Sequence, residues 1–212
     1  MTLITSRIQA VPNDAHANNL ATAEKAFCLA QCLILTSVLG KVADRRGGRQ
    51  MKSVEEILAT AIEFEKFGVE YYTKFQELVG DEKAKALMRS LASDEKEHAS
   101  ILDKQLKALG GKAPAVSQKT LDKGLSEIFP GKAKKNSIAV TDSISAIKMG
   151  IGTEERSYSY YSKNAKSVDR RLKDIFEKLA KMEQGHRELL EENLRYLEND
   201  GSWFGYVPIL EG

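Results

Sequence analysis

From residue 53 onward, apolar residues recur every three or four positions, which is the spacing of one helix face. Similar patterns cover about residues 53–79, 82–109, 143–165 and 170–198. In the first segment the inward positions are Ile57, Leu58, Ile62, Val69, Tyr72, Phe75 and Leu78. The pattern therefore predicts four long amphipathic helices.

Polar residues and glycines mark the ends of these helices. Asp81 and Asp142 stand where N-caps of the second and third helices are expected, because a carboxylate there accepts hydrogen bonds from free backbone amides. Gly110 and Gly111 end the second helix, since glycine readily adopts the backbone conformation that closes a helix.

A long connection separates the second and third predicted helices. Residues 112–140 contain two prolines and allow only a short helix around residues 121–128. The breaks within each half are much shorter, so each half forms a helical hairpin. We therefore predict an all-α fold, a ferritin-like four-helix bundle made of two helical hairpins joined by a long crossover.

The two ends of the chain lack the helical pattern. Residues 1–50 are predicted to be an N-terminal extension outside the core, non-native or disordered, with the folded domain spanning residues 51–212. The apolar stretch 26–40 is too short for a membrane span, and the leader before it is unusually long and mixed for a signal peptide. A signal anchor is the alternative. The tail from residue 199 is predicted to be non-helical, with Trp203 packing on the bundle end or on a partner subunit.

The composition of the chain adds to this picture by excluding some classes of partner and of site. The chain has 32 basic and 30 acidic residues, so its net charge favours neither nucleic acid nor an acidic substrate as a partner, and no membrane partner is expected. Its two cysteines, Cys28 and Cys32, leave the helical region without a disulfide framework or a cysteine-rich zinc or iron–sulfur site. A reducing, cytoplasmic location is therefore expected.

Two of the three histidines follow a glutamate by three residues. His98 follows Glu95, and His186 follows Glu183. Residues three apart share a helix face, so each pair can present a carboxylate and an imidazole to the same point. His16 lies outside the helical pattern and is not expected to take part.

The same chemistry recurs along the chain at a fixed interval. Each residue of the set has a counterpart 88 or 89 residues further on: Glu65 and Glu154, Tyr72 and Tyr161, Glu95 and Glu183, and His98 and His186. Such self-similarity indicates two copies of one helical hairpin.

The duplicated set puts four carboxylates and two imidazoles on inward positions. Buried carboxylates are costly when unpaired, and four together repel one another, so they keep protons or bind cations. Two divalent ions balance four carboxylates beside neutral histidines. One imidazole per metal among carboxylates suits iron or manganese. We predict two iron ions, with manganese as the alternative, because two oxidation states make the pair useful with oxygen or peroxide.

The segments EFEKFGVEYY, SDEKEH and KMEQGH resemble the helix motifs of the rubrerythrin-like diiron-carboxylate family, within the ferritin-like group, over about residues 53–198. The resemblance implies that Tyr72 and Tyr161 hydrogen-bond the ligand carboxylates. Full rubrerythrins also carry a C-x-x-C rubredoxin domain and a further glutamate in the third helix, where this chain has Ser157. The metal ligands that the resemblance implies are Glu65, Glu95, His98, Glu154, Glu183 and His186.

Three functions follow from this set of residues. The first is an oxidoreductase that reacts with peroxide or oxygen, takes electrons from a separate protein such as a rubredoxin, and forms a homodimer. The second is a ferroxidase that stores iron like bacterioferritin. The tail counts against it, because storage cages usually need a fifth helix and the tail shows no helical pattern. The third is a structural bundle without metal. Glu63, Glu97 and Glu155 lie off the inward stripe and are predicted to be solvated.

Overall fold

The computed structural model describes residues 53–113 and 138–204. These residues form four helices and no strand, which confirms the all-α prediction. The predicted extension, the short helix at 121–128 and the end of the tail lie outside them. None of the described helices has the length and apolar character needed to cross a membrane. The helices are α1 (Val54–Leu78), α2 (Glu82–Ala108), α3 (Val140–Asn164) and α4 (Arg170–Asp200).

Side-chain caps set three of the four helix starts. Ser53 and Glu56 form a capping box at α1, in which each side chain bonds the other residue's backbone amide, at 3.2 and 2.8 Å. Asp81 caps α2 as predicted, and Asp169 caps α4. The prediction that Asp142 caps the third helix is wrong, because α3 begins earlier and Asp142 lies in its first turn. A carboxylate in the first turn also interacts favourably with the positive end of the helix dipole. An aspartate near a helix start can therefore be a cap or a first-turn residue, and the residue type alone does not show where the helix begins.

The C-terminal helix runs slightly further than its sequence pattern indicates. α4 continues through Asp200 and ends at Gly201, whose φ of 75° is the left-handed conformation that glycine adopts without strain. The chain then turns back, and the Trp203 ring lies edge-on to Phe75 with ring centroids 6.1 Å apart. Trp203 therefore packs on one end of the bundle, which is one of the two placements predicted for it.

α1 packs on α2, and α3 packs on α4, so the two predicted hairpins are present. Hydrogen bonds between α1 and α3 connect the hairpins. The Tyr71 hydroxyl donates to the carbonyl of Ala146, and the Tyr160 hydroxyl donates to the carbonyl of Ile57 at 2.9 Å. Both donors and both acceptors are 89 residues apart, so the same bond is made twice. The pairing also shows that α1 and α3 run antiparallel.

The apolar core has two halves. One half surrounds Phe75 and Trp203, and the other surrounds Ile57 and Phe176. Along every helix, the duplicated glutamates and histidines lie between residues of one half and residues of the other. The two apolar halves therefore enclose a single polar layer. The favourable free energy of burying their apolar side chains offsets the unfavourable free energy of burying the polar layer.

We expect the paired tyrosine bonds to stabilise the contact between the hairpins. Replacing Tyr71 and Tyr160 by phenylalanine removes two hydroxyl donors, and a hydrogen bond of this kind contributes about 0.5–1.5 kcal/mol. The acceptor carbonyls lie within helices, so they are not left without a partner. Urea unfolding should show a stability lower by roughly 1–3 kcal/mol for the double variant. Tyr196→Phe, at a ring that is 40% exposed, should change little. Equal stabilities in both variants would contradict this account.

Candidate metal centre

All six predicted ligands lie in the polar layer between the two halves of the core. α1 and α3 each contribute one glutamate, and α2 and α4 each contribute a glutamate and a histidine one turn apart. Every one of the six is at least nine-tenths buried. The inward stripe and the shared helix face that the sequence indicated thus bring all six residues together.

The six residues form two overlapping groups. In each group, four ligand atoms lie within 4.8 Å of one another. The His98 half, as we call it, consists of Glu65, Glu95, His98 and Glu183, and the His186 half consists of Glu95, Glu154, Glu183 and His186. Glu95 and Glu183 belong to both halves. The arrangement is that of two adjacent cation sites with two shared carboxylates.

Nδ1 of His98 points into its half of the cluster. It lies 2.9 Å from Oε1 of Glu183 and 3.4 Å from Oε2 of Glu65. Oε2 of Glu95, one turn earlier on α2, is 3.6 Å away. A single cation placed among these atoms would have three carboxylates and one imidazole within reach.

His186 repeats this geometry in the other half. Its Nδ1 lies 3.3 Å from Oε1 of Glu95, 3.5 Å from Oε2 of Glu183 and 3.7 Å from Oε2 of Glu154. The two imidazole rings are nearly parallel, with centroids 5.6 Å apart. Both rings therefore present the same nitrogen to the centre of the bundle.

Several polar atoms of the cluster are buried without a hydrogen-bond partner among the described residues. They include Oε2 of Glu65, both carboxylate oxygens of Glu183, and Nδ1 of both histidines. Folded proteins pair nearly all such groups, because an unsatisfied buried polar group costs about 1–3 kcal/mol. Unsatisfied acceptors and imidazole nitrogens that converge on two points fit a pair of divalent cations. The donor set that the cluster offers is carboxylate oxygens with one imidazole for each cation.

Two tyrosines hold the outer carboxylates of the cluster. The Tyr72 hydroxyl on α1 donates to Oε1 of Glu154 on α3, and the Tyr161 hydroxyl on α3 donates to Oε1 of Glu65 on α1. Each bond crosses from one hairpin to the other. The tyrosines thus occupy the positions that the resemblance implied, and they orient the carboxylates whose other oxygens face the cluster.

Without a cation, the cluster holds protons. Burial, together with the charge of Glu95, raises the pKa of Glu65 well above its usual range, and burial raises the pKa of Glu154 to about 7. Burial opposes a charged histidine, but the surrounding carboxylates outweigh it and raise the pKa of His98 to about 12. For Glu183, burial acts upward, but both histidines lower its pKa below the usual range. Cations that enter must therefore displace protons.

Of the three glutamates predicted to be solvated, two are exposed and one is not. Glu97 and Glu155 are exposed. Glu63 is only 4% exposed, so the prediction for it is wrong, and burial raises its pKa to about 7. Thr60 and Phe67, one turn to either side of Glu63, are buried too. α1 is thus covered over a wider arc than one apolar stripe.

Sequence reasoning missed two residues beside the cluster. Gly68 of α1 faces Glu95, and a Cβ at this position would lie 3.0 Å from Cγ of that side chain. The available signal was a glycine inside a helix, which costs roughly 1 kcal/mol against alanine and so needs a reason. Asp94 lies 3.4 Å from Nε2 of His186. Its only signal was its place directly before Glu95.

We expect Gly68→Ala to weaken metal binding. The added methyl group forces the Glu95 side chain to shift, and Glu95 belongs to both halves of the cluster. The affinity for Fe²⁺ or Mn²⁺, measured by calorimetry, should fall on the order of tenfold, as it does for other changes to residues that support metal ligands. Gly185→Ala on α4 is the matched control, because a Cβ there meets nothing within 4 Å. If both variants bind as the wild type does, Gly68 has no role in placing Glu95.

We also expect the metal-free protein to lose stability as the pH rises from about 6 to about 8. The raised pKa values of Glu65, Glu154 and His98 mean that the folded state binds more protons than the unfolded state in this range. Stability gained from those protons is present at low pH and is lost as the pH rises. Thermal melts after chelation should show this decline.

Replacing Glu65 and Glu154 by glutamine tests the source of this decline. The variant should melt higher than the wild type when both are metal-free, with a weaker pH dependence, because two buried carboxyl groups that must take up protons on folding are gone. Glutamine replacements at the exposed Glu55 and Glu97 are the control and should leave the slope unchanged. A wild-type slope in the Glu65 and Glu154 variant would show that these glutamates are not coupled in a buried site.

Several solved structures are similar to this fold. A hypothetical protein from Pyrococcus furiosus has a similar structure, with a TM-score of 0.56 and 26% identity over 78% of this chain and 98% of its own. The bacterioferritin-related dodecameric thioferritin of Bacteroides fragilis has a TM-score of 0.53, 18% identity and coverage of 67% and 84%. A hypothetical protein from Methanococcus jannaschii has a TM-score of 0.56, 14% identity and coverage of 77% and 93%.

A search among curated proteins finds no match. The rubrerythrin family model, however, matches residues 56–194, which include all six residues of the cluster. Membership of that family supports a diiron-carboxylate protein, and the buried cluster is able to hold the metal. Because the match spans more than half of its length, the chain belongs to the rubrerythrin family.

Proposed function

We propose that this protein is a non-haem diiron oxidoreductase that reduces peroxide or oxygen. The observation that carries the proposal is the pair of buried, overlapping groups that share Glu95 and Glu183. A merely structural bundle has no use for six ionisable side chains in its core, since burying them is costly. Two adjacent cation sites would account for these buried side chains, because the bound ions would neutralise the carboxylates.

Each residue of the cluster has a role in this proposal. Glu95 and Glu183 would contribute to holding both ions, because each belongs to both groups. Glu65 and Glu154 would each hold one ion with the oxygen that their tyrosine leaves available. Each histidine would hold one ion through Nδ1.

When bound, an iron pair would supply the two electrons that the oxidant takes up, and the external donor protein would restore them. The protein's own residues provide the surroundings. The two halves of the apolar core keep bulk water from the layer, which strengthens electrostatic interactions inside it. Tyr72 and Tyr161 restrain the outer carboxylates by hydrogen bonds across the hairpins. Ser157 is buried at the position where full rubrerythrins have a further glutamate, so four carboxylates of the layer would be available to the ions.

The electrons come from a separate protein in this proposal. The sequence has two cysteines, at positions 28 and 32, and their spacing differs from the C-x-x-C pairs of a rubredoxin domain. A small redox protein such as a rubredoxin is the donor that fits, and the protein acts as a homodimer. Nucleic acids and membranes are not among the proposed partners.

Iron storage is the alternative that the same ligand set permits. The Bacteroides fragilis thioferritin is described as a dodecamer, and it resembles this chain in its fold. Size-exclusion chromatography distinguishes the two functions. A dimer supports the oxidoreductase, and a hollow assembly of many subunits that retains ferric iron supports storage.

Metal analysis tests the proposed centre directly. The purified protein should bind about two iron ions per chain, and its absorption spectrum should change on addition of peroxide. Replacing His98 and His186 by alanine should remove most of the iron and the spectral change. His16→Ala removes a histidine of the N-terminal segment and is the matched control, which should retain both properties. Unchanged iron content in the His98 and His186 variant would refute the site.

A further inference from the structure

The two histidines of the cluster differ at the ring nitrogen that faces away from it. Nε2 of His186 lies 3.4 Å from Oδ2 of Asp94, an ion-pair distance. Nε2 of His98 is buried and has no hydrogen-bond partner among the described residues. The duplicated centre is therefore asymmetric in what supports its histidines.

The asymmetry is present in the sequence. Residues of α2 correspond to residues of α4 at an interval of 88, which relates Glu95 to Glu183 and His98 to His186. The counterpart of Asp94 at this interval is Met182. A thioether is an uncharged, weak acceptor, whereas a carboxylate accepts strongly. The second hairpin therefore has no carboxylate at the position that corresponds to Asp94.

The two halves also differ in their exposure. The Asp94 side chain is 39% exposed and the His186 side chain 10%. In the His98 half, the side chains of His98 and Glu65 are fully buried. The His186 half therefore lies nearer to solvent than the His98 half.

We propose that Asp94 is a positioning residue for His186 and that the two cation sites are inequivalent. The ion of the His186 half, which lies nearer to solvent, exchanges while that of the His98 half is retained, and Asp94 slows the exchange by holding His186 in place. This inference rests on the proposed metal-binding function. A carboxylate beside Nε2 accepts the ring proton, which fixes the tautomer that leaves Nδ1 free to bind a cation. The partly exposed carboxylate also attracts divalent cations toward that half.

Cobalt release distinguishes the two sites. The full-length protein is loaded with Co²⁺, whose visible absorption reports its surroundings, and an excess of a chromogenic chelator is then added. We expect two phases of similar amplitude in the wild type, one for each ion. Asp94→Asn keeps the shape of the side chain and removes its charge. It should accelerate the fast phase about tenfold, in line with other residues that support metal ligands, and leave the slow phase unchanged.

Two further variants complete the test. Glu97→Gln removes an exposed carboxylate from the same helix and should behave as the wild type does. Asp94→Glu retains a carboxylate and should restore slower release, which a general loss of folding would not explain. Circular dichroism verifies that all variants remain helical.

Three results would overturn the inference while the metal centre stands: a single release phase for two bound ions, equal acceleration of both phases by Asp94→Asn, or the same effect from Glu97→Gln. Wild-type protein that takes up fewer than two Co²⁺ ions would refute the proposed centre itself, and the inference with it. The two failures are therefore distinguishable by the amount of Co²⁺ bound before the chelator is added.

Discussion

The structure depends on the electrostatic constraint of one buried layer. Four carboxylates and two imidazoles converge where the dielectric is low, and like charges there repel strongly. The raised pKa values of Glu65, Glu154 and His98 show how the metal-free protein meets this constraint, by retaining protons. Divalent cations meet it as well and free those protons. Metal affinity, proton uptake and stability are thus one coupled property of this layer.

The rest of the bundle restrains that layer. Apolar residues above and below it supply the favourable burial, and the hairpins contribute equivalent sets of ligands. Consecutive tyrosines in α1 and α3 connect the hairpins in two ways. Tyr71 and Tyr160 donate to backbone carbonyls of the opposite helix, while Tyr72 and Tyr161 donate to its outer carboxylate. The same short sequence therefore aligns the helices and orients the ligands.

Duplication does not make the two halves identical. Asp94 and Met182 occupy corresponding positions but differ in charge, and within residues 53–113 and 138–204 only His186 has a carboxylate beside its Nε2. Gly68 and Ser157, which also correspond, differ in whether a side chain is present beside the layer. In the proposed centre, the half that lies nearer to solvent would admit the oxidant, while Asp94 would hold His186 in place.

The sequence by itself determined the four helices, the Asp81 cap and the six converging residues, because apolar periodicity and the repeated Glu-x-x-His spacing are properties of a single helix. Only the tertiary structure decided which features lie between helices. The sharing of Glu95 and Glu183, the space that Gly68 leaves and the contact of Asp94 with His186 all join residues of different helices. Glu63 is buried for a related reason, since a helix inside a bundle is covered over a wider arc than its apolar stripe. Local spacing fixes which face a residue occupies, whereas the packing of neighbouring helices fixes what that residue meets.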